Sequence, residues 1–306
     1  MTLIPLEEIA RRWVPGEGPL DLEPLSRGLV NDTFRVARAG RLYALRVAGR
    51  ELPELGLNRS RELGLDRGWE CRVLAAASSA GVAPAIRCCD PAAGILVADW
   101  IAHRTWSAAQ TQAAGTIETM ARLLRRVHAL PIPHPARVMN PAAWIAHYSQ
   151  ALARVDSGVP PLHERLRGAA AGRLARLAAL GSDSVLCHSD VHRHNVATGE
   201  HPALIDWEYA HVSDPFWDLA GWISNNDGPE RFAAELLVRY LERPALPAES
   251  ERLAAMTWLY DYVCVLWSEL YARLRPGDAA DVAVRARLLE ERLAGPGGRA
   301  GQVPAH

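Results

Sequence analysis

The stretch Val185–Gly221, VLCHSDVHRHNVATGEHPALIDWEYAHVSDPFWDLAG, decides how the rest of the chain is read. Val185 to Cys187 is a short apolar strand, and the loop Ser189 to His194 follows it. Asn195–Ala197 and Ala203–Ile205 are strand-like runs separated by Thr198-Gly199-Glu200-His201-Pro202, so an antiparallel hairpin is expected. In such a hairpin the start of the first strand lies beside the end of the second, with backbones about 5 Å apart. Asn195 and Asp206 are therefore expected to meet. Two oxygen donors there suit Mg²⁺, which takes one or two protein ligands and completes its octahedron with phosphate and water. Asp190 precedes Asn195 by five residues, on a loop beside that metal, where its carboxylate can accept the proton of an attacking hydroxyl.

Outward from this hairpin, the amino-terminal third reads as β-structure and the remainder as helix. Leu6 to Trp13 has apolar positions at helical spacing. Thr33–Ala37 and Leu42–Ala48 read as two strands joined by an Arg38-Ala39-Gly40 turn. Before them, Ser26 to Asn31 is a small-residue loop with a single glycine, Gly28; such loops can fold their N–H groups over a triphosphate. Arg46 interrupts the apolar run LYALRVA, and a guanidinium there must find an anion or reach water. Glu62 and Glu70, both on helical stretches downstream, are the candidate partners, and Glu70 is preferred. Gly81 is the expected C′ residue of the Glu70 helix, with Pro84 beyond it. GILVADWIAH is a strand followed by a crossing segment. Ser107 to Leu130 is expected to be one long amphipathic helix with Ile117, Met120, Leu123, Leu124 and Val127 buried. The chain is read as helical from Asn140 to Leu180 with a break at Val159-Pro160-Pro161, and again after the central stretch to about Leu293. The switch from hairpins to helices puts a lobe boundary near residue 102, giving lobes 1–101 and 102–294 and a Gly- and Pro-rich tail, 295–306, expected to be disordered.

Composition narrows the partners. A chain of 306 residues with 49% hydrophobic content can bury a substantial core. Its net charge of -1 argues against nucleic acid and against a polybasic membrane surface. There is no lysine, so every phosphate contact that needs a fixed cation falls to arginine. The five cysteines show no CxxC spacing, which makes a disulfide framework or zinc ribbon unexpected and fits a reducing cytoplasm. No signal peptide or run of about 18 apolar residues is present, so a cytoplasmic protein without membrane contact is expected.

The spacing HxDxxxxN, followed by a hairpin and then Asp, is that of kinase catalytic and metal-binding loops. LCHSDVHRHN, LIDWEYA and DPFWDLA resemble the choline/ethanolamine kinase and aminoglycoside phosphotransferase superfamily, nearest to bacterial choline kinase-like and thiamine kinase-like members. The resemblance implies an α+β, two-lobed protein kinase-like fold, with a small antiparallel-sheet N-lobe for the nucleotide and a larger, mostly helical C-lobe for the acceptor. It implies ATP as co-substrate and Mg²⁺ as cofactor, with Asp190 as catalytic base and Asn195 and Asp206 as metal ligands. His188 would support the loop and Asp218 would anchor it, with Asp214-Pro215 starting the following helix. SRGLVNDTFRV resembles the phosphate-covering loop, which assigns Ser26, Gly28 and Asn31 to ATP, and YALRV resembles the third strand, where choline kinase-like members carry Arg. Arg46 and Glu70 join the ATP site by the same resemblance, and Asp99 and Ile101 of DWIAH would offer backbone groups to adenine. Glu208 and Trp267 are assigned to the acceptor, a small cationic alcohol such as choline. Thiamine is the alternative, then an aminoglycoside, for which an acid-rich carboxyl-terminal segment is lacking.

Two competing readings come from other classes. HSDVHRH crowds His188, His192 and His194 around Asp190, as in a zinc hydrolase, but without regular ligand order or a second His/Asp cluster. A non-catalytic nucleotide-binding pseudokinase is the other; the intact Asp190, Asn195 and Asp206 argue against it.

Overall fold

The computed structural model describes residues 5–27, 31–48, 59–101, 106–155, 161–181, 183–198, 201–226 and 230–274, with Leu293. Helix α1 (Leu6–Trp13) leads into strands β1 (Leu20–Arg27), β2 (Asn31–Arg38) and β3 (Arg41–Ala48). The β2–β3 turn places both Ala39 (φ 50°) and Gly40 (φ 71°) in the left-handed region, the twist that a two-residue hairpin needs. After α2 (Arg59–Glu62) and α3 (Arg67–Ser79), strands β4 (Ile86–Asp90) and β5 (Ile95–Asp99) complete an antiparallel sheet in the order β1-β2-β3-β5-β4. Val36, Tyr43, Leu45, Ile95 and Val97 alternate inward and pack with Ala10 of α1 and Val14 just after it, forming a small core.

Helix α3 joins the two lobes. Asp66 caps it by accepting the Trp69 N–H at 2.8 Å, and Gly81 (φ 64°) follows its end. Its Trp69, Val73, Leu74 and Ala77 are buried in the same apolar cluster as the helical lobe, and the Trp69 indole donates to the Ala210 carbonyl at 2.7 Å. One cysteine expectation is corrected here: Cys71 of α3 and Cys89 of β4 form a disulfide. The pairing has no local spacing signal because the helix, a turn and an edge strand bring the two residues together only in three dimensions.

The helical lobe comprises α4 (Ala108–Thr111), α5 (Ala114–His128), α6 (Pro141–Val155), α7 (Pro161–Leu180), α8 (Phe216–Asn225), α9 (Glu230–Leu241) and α10 (Pro247–Leu274). The single helix expected over 107–130 is two: Ser107 and Gln110 form a reciprocal capping box, and Ala113 is extended (φ -73°, ψ 140°), which interrupts the ladder. The predicted stripe of α5 is buried as read. Asp214 accepts the Phe216 N–H at 2.8 Å as expected of a start residue, but the helix begins one residue later than anticipated, with Pro215 (φ -57°, ψ -26°) at the N-cap position. Gly221 of α8 faces α10 so closely that a methyl group there would stand 3.1 Å from the Tyr260 ring.

The opening stretch supplies β6 (Val185–Cys187) paired with β9 (His211–Ser213), and β7 (Val196–Ala197) paired with β8 (Ala203–Leu204). Among the described residues, no helix is long and apolar enough to cross a membrane. Gly28 of the expected phosphate loop, the 49–58 connection and the 295–306 tail lie outside the described residues.

Candidate active site

The loop that carries Asp190 is held from beneath by a buried carboxylate. Asp218 is fully buried and accepts the backbone N–H of His188 (2.8 Å), the N–H of Ser189 (2.7 Å) and His128 Nε2 (3.1 Å). Burial alone would raise its pKa, but the hydrogen bond and charge of His128, with the His188 backbone bond, hold it below the ordinary carboxylate value. Those backbone bonds keep Ser189 in the left-handed region (φ 73°), a conformation a serine adopts only when its surroundings over-determine it. His188 accepts the Asp190 N–H on Nδ1 at 3.3 Å and donates Nε2–H to the Ile205 carbonyl at 2.9 Å, tying the loop to the hairpin. Burial lowers its pKa, so the ring is neutral.

At the hairpin's open end Asn195 sits in a 3₁₀ turn, Arg193–Asn195, and the Ile205 N–H donates to its carbonyl at 2.9 Å. Its Nδ2 donates to the Asp190 carbonyl oxygen and to Asp190 Oδ2, both at 3.0 Å, which leaves the amide oxygen as the atom Asn195 can offer a cation. Asp206, also left-handed (φ 63°), lies 3.2 Å from Arg46 through Oδ1. Desolvation by the surrounding protein, then repulsion from Glu208, pushes its carboxyl up to about 7 against the pull of Arg46. The side chain nevertheless keeps 44% of its exposure, and this open side is where a ligand can reach it. An amide oxygen beside a carboxylate destabilised by other acids suits Mg²⁺, so the residues present fit that ion.

Arg46 is the hub of a network that joins the lobes. It meets Glu70 at 2.5 Å, Asp206 at 3.2 Å and Glu208 at 3.9 Å. Burial would lower its pKa, but Glu70, Glu208 and Asp206 together raise it. Glu62, the other candidate partner, pairs with Arg154 instead. Arg67, which the sequence reading did not single out, bridges Glu70 and Glu208 at 2.9 Å each and donates to Asn31 Oδ1 at 2.7 Å. Asn31 in turn donates to Glu208 Oε2 at 2.6 Å. Two expectations change accordingly. Glu208 faces these amino-terminal-lobe residues and is not among the residues lining the aromatic cavity described below, because two arginines draw it across the cleft. Asn31 is a strand residue whose amide is engaged by Glu208 and Arg67. Ser26 also lies within a strand, β1, and is not a loop residue. At the hinge, the Asp99 N–H donates to the Ala85 carbonyl at 2.8 Å, which closes that donor to adenine, and its carboxylate pairs with Arg87. Ile101 follows directly after the sheet.

On the other side of Asp190 lies a cavity of about 220 Å³. Its wall is mostly aromatic: Trp144, Tyr148, Tyr209, Trp217, Tyr260 and Trp267, with Asp190 at the edge. Most polar tips of these rings are occupied within the protein. Trp267 donates to the Tyr209 hydroxyl (2.8 Å), Trp144 to His211 Nε2 (3.3 Å) and Tyr148 to the Leu63 carbonyl (3.3 Å), and the Tyr260 hydroxyl accepts from Asn225 (2.9 Å). The cavity therefore presents ring faces. Trp267, assigned to the acceptor in the sequence, lines this cavity, and so does Cys264. The other five rings come from α6, from the residue after Glu208, and from α8 and α10, and no local pattern marks them.

The histidine-rich loop does not assemble a zinc site among the described residues. The one group of metal-ligand types close enough together is His128, Cys187 and Asp218, all buried. Asp218 there already accepts three hydrogen bonds, and burial raises the pKa of the Cys187 thiol well above its usual value.

A two-lobed kinase fold in which an acid-and-amide cluster adjoins a small aromatic-lined cavity defines a phosphotransferase of the small-molecule kinase class. The chain belongs to the phosphotransferase enzyme family, whose model matches residues 21–256. Among solved structures, the choline/ethanolamine kinase family protein from Mesorhizobium loti is similar at 25% identity over 96% of each chain, with TM-score 0.71. Choline kinase LicA from Streptococcus pneumoniae matches at 24% identity over 94% of this chain and 96% of its own, TM-score 0.73. Ethanolamine kinase from Plasmodium vivax shares 14% identity over 95% of this chain and 86% of its own, TM-score 0.75. No curated protein sequence matches the chain significantly.

Proposed function

We propose that the protein transfers the γ-phosphate of ATP to the hydroxyl of a small cationic alcohol of the choline type, in a Mg²⁺-dependent reaction. The observation that carries this reading is the double placement of Asp190. Its carboxylate holds Asn195 at the acid cluster and also lines the aromatic cavity. An alcohol seated in the cavity presents its hydroxyl to Asp190, which takes the proton as the oxygen bonds to phosphorus and the bond to the ADP oxygen breaks. Arg46, fixed by Glu70, orients phosphate oxygens. Asn195 and Asp206 would hold Mg²⁺, whose charge offsets that of the phosphates.

The choice of alcohol follows from the cavity's chemistry. A primary ammonium wants several hydrogen-bond acceptors, whereas a quaternary ammonium is held by aromatic faces. Among the described residues, Asp190 is the one carboxylate lining the cavity, together with the six aromatic side chains. The volume of about 220 Å³ lies below the roughly 300–1,000 Å³ of pockets for drug-sized ligands, which favours choline over thiamine or an aminoglycoside. The similarity to the Mesorhizobium choline/ethanolamine kinase family protein supports a small amino alcohol over thiamine or an aminoglycoside.

Initial rates of phosphate transfer to choline, ethanolamine, thiamine and an aminoglycoside test this directly. Choline is expected to give the highest kcat/KM, by about tenfold or more. Mg-ATP binding by calorimetry without transfer to any alcohol would instead favour a pseudokinase. Asp206→Asn is expected to weaken nucleotide binding in the presence of Mg²⁺ and to leave metal-free binding nearly unchanged.

A further inference from the structure

The loop residue His192 belongs neither to the scaffold beneath Asp190 nor to the acid cluster. Its side chain is 25% exposed and lines the aromatic cavity. Its Nδ1 accepts the His194 N–H at 3.2 Å, which puts the proton of the neutral ring on Nε2. Nε2 lies 3.5 Å from Asp190 Oδ2, the same oxygen that accepts from Asn195 at 3.0 Å. A contact of that length is long, as contacts to a reacting carboxylate commonly are without substrate.

We infer that His192 is a positioning residue for phosphoryl transfer, in which its Nε2–H and the Asn195 amide hold Asp190 Oδ2 from two sides and so set the carboxylate's rotation toward the acceptor hydroxyl. The inference rests on Asp190 acting as the base. It gives the ring two separable roles: the Nε2–H acts on Asp190, and the ring face forms part of the cavity wall. Orientation governs the rate of a step whose reactants are already bound, so losing the Nε2–H should lower kcat more than it raises KM for the acceptor.

Two substitutions separate these roles. His192→Phe keeps a ring against the cavity and has no donor; His192→Gln keeps a donor within reach and has no ring. For His192→Phe, kcat is expected to fall roughly 10- to 100-fold with acceptor KM within about threefold. For His192→Gln, kcat is expected within about threefold of wild type while acceptor KM rises. Mg-ATP affinity by calorimetry should be unchanged in both. A His192→Phe enzyme with wild-type kcat would overturn the inference. So would equal loss of kcat in both variants with parallel losses of thermal stability, since that would reduce His192 to a cap on its own turn. Asp190→Asn, measured alongside, keeps the two levels apart: if it stays active, the assignment of the base fails; if it is inactive while His192→Phe is normal, only the role of His192 fails.

Discussion

The charged cleft and the aromatic cavity meet at Asp190, yet they are built on opposite principles. In the cleft, Arg46, Arg67, Glu70, Glu208, Asp206 and Asn31 satisfy one another, so each side chain's position depends on several partners. In the cavity, most ring tips are bonded within the protein, Trp267 to Tyr209 along the wall and Trp144 and Tyr148 to groups outside it. The cleft is specified by charge and the cavity by shape. Substitutions in the cleft should therefore disturb all phosphoryl transfer, whereas those in the cavity should discriminate between acceptors.

The sharpest test of their separation is Asp190→Asn, expected to lower kcat roughly 10³-fold while Mg-ATP affinity by calorimetry stays within about threefold. Removing the support beneath both regions comes next. Asp218→Ala leaves two buried backbone N–H groups and His128 without their acceptor, and is expected to cost about 3–5 kcal/mol, read as a lower midpoint in urea denaturation.

A pH experiment isolates the cavity's back wall when wild type is compared with a His211 variant, since His188 and Asp206 also titrate in the same range. His211 is fully buried, accepts from Trp144, and burial depresses its pKa from 6.5 to about 4. Between those values the unfolded chain takes up a proton that the folded chain does not. Stability is thus fully present above pH 6.5 and is lost as pH falls toward 4, by roughly 3 kcal/mol from this group. Denaturation midpoints across that range should show the slope, and His211→Gln should flatten it. The smallest effect is expected at the cavity face: Trp267→Leu should raise the KM for a quaternary ammonium acceptor about tenfold and leave the KM for ATP unchanged. An equal rise in both would break the comparison.

The two regions were also unequally legible in the sequence. The cleft's reacting groups lie within one 37-residue stretch, Val185–Gly221, where strand and turn signals bring Asn195 beside Asp206. Arg46 announced itself by interrupting an apolar run, and its pairing with Glu70 required only that strand and helix pack. Arg67 was hidden because every cation in the chain is arginine, and one more on a helix face carries no signal. The contacts of Glu208 were not legible because spacing gives its face but not the arginines opposite it. The cavity was largely invisible. Helix α10 is buried on most sides, from Trp258 through Val263, so no polar stripe distinguishes a ring facing a ligand from one facing the core. Trp144 and Tyr148 reach the cavity only through the packing of α6 against α10. The Cys71–Cys89 bond escaped for the same reason.

The close approach at Gly221 gives this protein an adjustable part. Tyr260 stands on one side of the α8–α10 crossing as cavity wall, and the missing side chain of Gly221 is what lets it stand there. One methyl group at residue 221 would press on that ring without touching phosphate, Asp190 or Arg46. Acceptor choice can thus drift by changes at a helix crossing while the phosphate chemistry is inherited intact, a route by which a single scaffold diversifies its substrates.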